Sequence, residues 1–157
     1  MATSLSNRLA VCSWSLQPES AEDLFNKLAQ TGLSKVQIAL DPIRENQGGG
    51  WSDFGQHCAR RGVTCVSGMF GTVGEDYTTL ETIKRTGGVV PDETWEENWR
   101  NIQINVDLAA RLGIRLVTFH AGFLPHEEKD PLFEKLLNRI RQIADLFGRR
   151  GIALGFE

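Results

Sequence analysis

No stretch of the chain approaches the roughly 20 consecutive apolar residues that a membrane span needs. The polar N-terminus, residues 1–8, leads only into the short apolar run 9–12 before Ser13 interrupts it, too short for the core of a secretory signal. Blocks of basic residues are missing, and the formal net charge is −3, so the sequence carries no electrostatic footprint for nucleic acid or an anionic membrane. Cysteine is scarce and odd in number: Cys12, Cys58 and Cys65 form no CxxC pair, which excludes both a zinc-knuckle spacing and a disulfide framework. Together these absences predict a reduced, cytoplasmic protein whose thiols are small buried groups.

A chain of 157 residues, 41% hydrophobic and 24% charged, suffices for one globular domain over 1–157. Its organisation follows from glycine. Gly32-Leu33, Gly62-Val63, Gly113-Ile114 and Gly151-Ile152 each close a helix and open a strand, at intervals of 30, 51 and 38 residues. Strands are expected over 9–15, 35–40, 63–70, 114–122 and 152–157. Between them, a helix begins at Ser20 with Asp23 as capping partner, and a short one spans 52–61. A third follows a capping box at Thr94 and Glu97, and a fourth starts at Asp130-Pro131. The long middle interval holds an insertion, 71–92, in which Leu80, Ile83 and Lys84-Arg85 before Gly87-Gly88 fit a short helix. A connection of that length on the C-terminal side of a strand reads as a lid over a rim, or as a static insertion.

The run from Ile114 to Gly122 and its echo, Ile152-Ala153-Leu154-Gly155-Phe156-Glu157, are the most informative stretches. Each is a short apolar strand of the kind buried on both faces in a parallel sheet, and each delivers a polar side chain near its end. A period of two places Leu116, Thr118 and His120 on one face and Val117 and Phe119 on the other; Glu157 shares a face with Ala153 and Gly155.

Strand alternating with helix implies successive right-handed βαβ units, either in a doubly wound open sheet or in a (β/α)8 barrel. A phosphate-binding doubly wound fold would place glycines in the turn after the first strand, and here that turn reads Ser15-Leu16-Gln17-Pro18. Four βα units and a fifth strand fall well short of the roughly 250 residues of a complete barrel. The expected fold is therefore α/β: a (β/α)8 TIM barrel present through strand five, the N-terminal part of a longer barrel. Its open edges and interior residues Val11, Met69 and Leu116 would favour a homo-oligomer.

Phe119-His120-Ala121-Gly122 at the end of strand four and Leu154-Gly155-Phe156-Glu157 at the end of strand five resemble the sugar phosphate isomerase/epimerase group of xylose isomerase-like TIM barrels. The resemblance covers the whole chain and the first five strands of that fold. It implies that Glu157 is a ligand of a divalent metal (Mn, Mg, Co or Zn), the remaining ligands coming from later strands. His120 matches a rim position that binds substrate in sugar isomerases and zinc in the related endonuclease branch. Trp14 reads either as a wall for a sugar ring or as a plug over the core. His57 and His126 are assigned no role.

A metal with carboxylates beside it suits aldose-ketose isomerisation or epimerisation of a sugar or sugar phosphate, by proton transfer next to a carbonyl. Glu157 and His120 would be its catalytic residues and Trp14 and His120 its substrate contacts. The same scaffold admits two other readings: a zinc-dependent, endonuclease IV-like phosphodiesterase, and a non-catalytic carbohydrate-binding or interaction protein.

Overall fold

Gly32, Gly62, Gly113 and Gly151 all have φ between 66° and 70°, the left-handed region in which a Cβ is costly, and each turns a helix into the strand that follows. The computed structural model describes residues 5–45 and 48–156. A 3₁₀ turn at Leu5–Arg8 leads into β1 (Val11–Cys12) and the helical turn α1 (Ser13–Leu16). Then come α2 (Ala21–Thr31), β2 (Lys35–Ala39), α3 (Asp41–Arg44), α4 (Phe54–Arg61) and β3 (Thr64–Phe70). The second half holds α5 (Leu80–Thr86), α6 (Trp95–Arg111), β4 (Leu116–Phe119), α7 (Pro131–Gly148) and β5 (Ala153–Phe156). Every strand pair is parallel and the order is sequential, β1-β2-β3-β4-β5.

Three local expectations are corrected. The first strand is shorter than 9–15. Ser13 is buried and its hydroxyl accepts the Ala39 N–H at 2.8 Å, taking the place of a ladder carbonyl, so the chain leaves the sheet there and coils into α1. Gln17, with φ 44°, then makes the left-handed turn that a glycine would usually make. At Ser20 only half of the capping box forms: its hydroxyl accepts the Asp23 N–H, while the Asp23 carboxylate takes the Glu19 N–H instead. At Thr94 there is no cap bond. Its backbone is already helical (φ −104°, ψ −4°), and its hydroxyl accepts from Asn98 Nδ2 instead. Asp130 does cap α7, accepting the Leu132 N–H at 2.8 Å, with Pro131 at the first helical position.

One face of the sheet carries the core. Ile38, Phe70, Val117 and Phe119 pack into a single cluster with Phe25 of α2, Phe54 of α4, Ile102 of α6 and Ile143 and Phe147 of α7. Phe70 stacks on Phe119 at 5.1 Å and on Phe147 at 6.2 Å between ring centroids. The opposite face is bridged across strands: Gln37 Nε2 donates to Thr118 Oγ1 at 3.1 Å, and the Cys12 thiol donates to Met69 Sδ at 3.3 Å. Leu116 is exposed on that face as expected; Met69, expected to be open, is 7% exposed. In the β2–β3 ladder Val36 pairs with Cys65 and Gln37 with Ser67, so Val66 is a surplus residue, a β-bulge. Cys58 and Cys65 are free thiols 3.9 Å apart, and their contact together with burial pushes the Cys65 thiol up. Among the described residues no helix is long and apolar enough to cross a membrane.

Candidate active site at the C-terminal ends of the strands

Parallel strands present their last residues on one rim, and a barrel's chemistry sits there because loops of free composition meet over it. Here the rim holds a cavity of about 180 Å³ lined by Trp14 of α1, Met69 and Phe70 at the end of β3, Thr118, Phe119 and His120 at the end of β4, and Glu75 and Tyr77 from the insertion. Two residues singled out in the sequence, Trp14 and His120, are therefore brought together. Trp14 is 46% exposed. His120 also lines a second depression of about 350 Å³ beside α5, with Leu80, Ile83, Lys84 and Phe123, where Lys84 Nζ lies 4.4 Å from the Phe123 ring centroid.

Glu157 lies outside the described residues. Its predecessor Phe156 pairs with Phe119, the residue before His120.

The insertion is sewn down at both roots. At its start, Asp41 Oδ2 accepts the Gly71 N–H at 2.9 Å and Asn98 Oδ1 accepts the Val73 N–H at 2.8 Å. Burial pushes the Asp41 carboxyl up, against the Gly71 amide and the Arg44 guanidinium, which pull it down. At its end, Val89 N–H donates to Ala121 O at 3.1 Å. Buried Arg139 of α7 donates to the carbonyls of Val89 (2.9 Å) and Val90 (2.8 Å), and its guanidinium lies 4.6 Å from the Trp95 ring centroid. Between the roots, α5 is capped by Thr79 and Thr82, which exchange side-chain and backbone bonds.

Glu75 was missed by reading the sequence. Its side chain, 10% exposed, places Oε1 2.8 Å from His120 Nδ1 and accepts the Gly88 N–H on the same oxygen at 3.0 Å; Oε2 accepts the Tyr77 hydroxyl at 3.2 Å. The Tyr77 ring lies 6.3 Å from that of His120. A glutamate and a tyrosine in the one long rim-side loop were the available signal. The contact joins positions 45 residues apart, which no periodicity reports.

The described residues do not form a divalent-metal site on their own. Glu75 and His120 direct donor atoms at each other, and no group of three His, Cys, Asp or Glu converges among them.

Residues 25–157 match the family described as Xylose isomerase-like TIM barrel. The chain belongs to that family. Solved structures share the fold. A xylose isomerase domain protein from Planctomyces limnophilus superimposes with a TM-score of 0.74 at 22% identity, over 94% of this chain and 51% of that one. A xylose isomerase-like TIM barrel protein from Mycobacterium smegmatis, in complex with magnesium, gives 0.64 at 16% identity, over 94% and 54%. A sugar phosphate isomerase/epimerase from Parabacteroides distasonis ATCC 8503 gives 0.59 at 18% identity, over 94% and 50%. This chain thus spans about half the length of each. Among curated proteins, no relative matches it.

Proposed function

We propose that the intact protein is a sugar or sugar-phosphate isomerase or epimerase that moves a proton next to a carbonyl, with His120 and Glu157 at the reacting end of the substrate and Trp14 beside it. The observation that carries this reading is the meeting of His120 and Trp14 in one rim cavity of a xylose isomerase-like barrel. Trp14 offers an apolar face of the sort against which the C–H face of a sugar ring packs. The Nδ1 side of His120 is engaged by Glu75, and Nε2 has no protein partner among the described residues, so that nitrogen is left for a ligand. A side chain held in this way can receive or return a proton at a sugar oxygen or carbon.

Glu157, next after the residue paired with Phe119, is proposed as the metal-ligating carboxylate that the family resemblance assigns to it. When bound, a divalent metal would polarise the substrate's oxygens. The presence of magnesium in the M. smegmatis relative supports such a cofactor.

The test is proton exchange in D2O, catalysed by the intact protein on a panel of ketoses and ketose phosphates. His120→Asn is expected to lower kcat by roughly a hundredfold or more, the range of a lost acid–base group. Glu157→Gln is expected to weaken binding of Mn²⁺ in calorimetric titration while leaving folding intact. Exchange unaffected by either substitution would remove both residues from the reaction, and cleavage of abasic DNA in place of exchange would favour the phosphodiesterase reading.

A further inference from the structure

We propose that Glu75 is a positioning residue that holds His120 in the Nδ1–H form, so that Nε2 meets the substrate as a proton acceptor. The argument is an inventory of donors and acceptors. The Glu75 carboxylate receives the Gly88 N–H at 3.0 Å and the His120 ring at 2.8 Å on Oε1, and the Tyr77 hydroxyl at 3.2 Å on Oε2. An ionised carboxylate has only acceptor sites, so the proton in the 2.8 Å contact must come from Nδ1. In a neutral imidazole one nitrogen carries the hydrogen and the other a lone pair, and fixing the first decides the second.

The ring has little freedom to escape this arrangement. A Cβ at Gly87 would lie 2.6 Å from His120 Cε1, so the insertion backbone packs against the edge of the ring next to Nδ1. Glu75 is itself fixed by Gly88, at the other end of the insertion, and that end is anchored through Val89 to Ala121, the residue after His120. The carboxylate, the glycine pair and the histidine thus form one closed loop of contacts.

The consequence deepens the reading of the site given above and rests on it. In its neutral form His120 would take a proton from a substrate hydroxyl rather than donate one to a carbonyl oxygen. A proton delivered to the carbonyl in the first step has to come from elsewhere.

The tautomer can be read without any substrate, so its test stands apart from the activity assay. Long-range ¹H–¹⁵N correlation spectra of histidine-labelled full-length protein are recorded at a pH where the ring is neutral, with His120 assigned by loss of its signals in His120→Gln. The wild type is expected to show a protonated Nδ1 and a bare Nε2. Glu75→Ala is expected to move the proton largely to Nε2, the form a free imidazole ring favours. Glu75→Gln, whose carbonyl oxygen can occupy the place of Oε1, is expected to retain the wild-type tautomer. A wild-type spectrum with the proton on Nε2 would overturn the proposal even if Glu75→Ala failed to fold, and so would a folded Glu75→Ala variant with an unchanged tautomer.

Discussion

Gly87 sits at an ordinary negative φ of −75°, so its requirement for glycine is steric rather than conformational. An added Cβ would meet His120 Cε1 and the Ile83 carbonyl, each at 2.6 Å, and neither the ring nor the carbonyl that closes α5 can move without breaking a hydrogen bond. Gly87→Ala is therefore expected to cost about 1–3 kcal/mol, as overpacking does, and to shift the His120 ring resonances. Urea denaturation and the ring spectra check it together; unchanged ring signals would show that the insertion yields instead. Arg139 is the complementary case, a charge buried to satisfy others. Its guanidinium serves the carbonyls of Val89, Val90 and, at 3.5 Å, Pro91, pairs with the Asp92 carboxylate and lies over Trp95, work that the shorter fork-less amine of lysine does poorly.

Among the elements, α6 contains an inconsistency between sequence pattern and environment. Asn105 is fully buried on the core face beside Ile102 and Val106, and neither atom of its amide has a protein partner among the described residues. An unpaired buried amide costs roughly 1–3 kcal/mol, so Asn105→Leu is expected to raise stability by an amount of that order, seen as a higher urea midpoint at unchanged slope. A lower midpoint would mean that the amide is paired in solution. The βα alternation and the positions of the helix ends were legible because glycines in left-handed turns and apolar periodicity are local signals. His120 was legible for the same reason, as the residue that follows β4, whereas Trp14, expected at the end of the first strand, lies in α1. Not legible were the short α1, which depends on Ser13 reaching Ala39, and the Glu75–His120 contact, which depends on how the insertion folds back. Those are tertiary facts, set by which surfaces meet and not by neighbours in the chain.

At the scale of the whole molecule, β1 pairs only with β2 and β5 only with β4, so both outer strands present unpaired backbone groups among the described residues. Leu116 and Phe156 are 41% and 51% exposed. Open edges beside apolar side chains are templates for pairing with another chain. The polypeptide of residues 1–157, expressed alone, is expected to elute from size-exclusion chromatography as dimers or larger species whose share grows with concentration. A monodisperse monomer that unfolds cooperatively would contradict this.

The surplus Val66 sets the phase of everything downstream in β3. Counted by twos from Thr64, Phe70 would fall on the barrel's inner surface; the bulge advances the count by one, placing Phe70 outward in the aromatic stack and Met69 inward beside Cys12. The third strand therefore works as two half-strands out of step, joined by a dislocation. A single-residue change of length in it turns every residue downstream to the other face, and a relative lacking the extra residue should carry its stacking aromatic at an adjacent position, with the parity of its rim shifted to match.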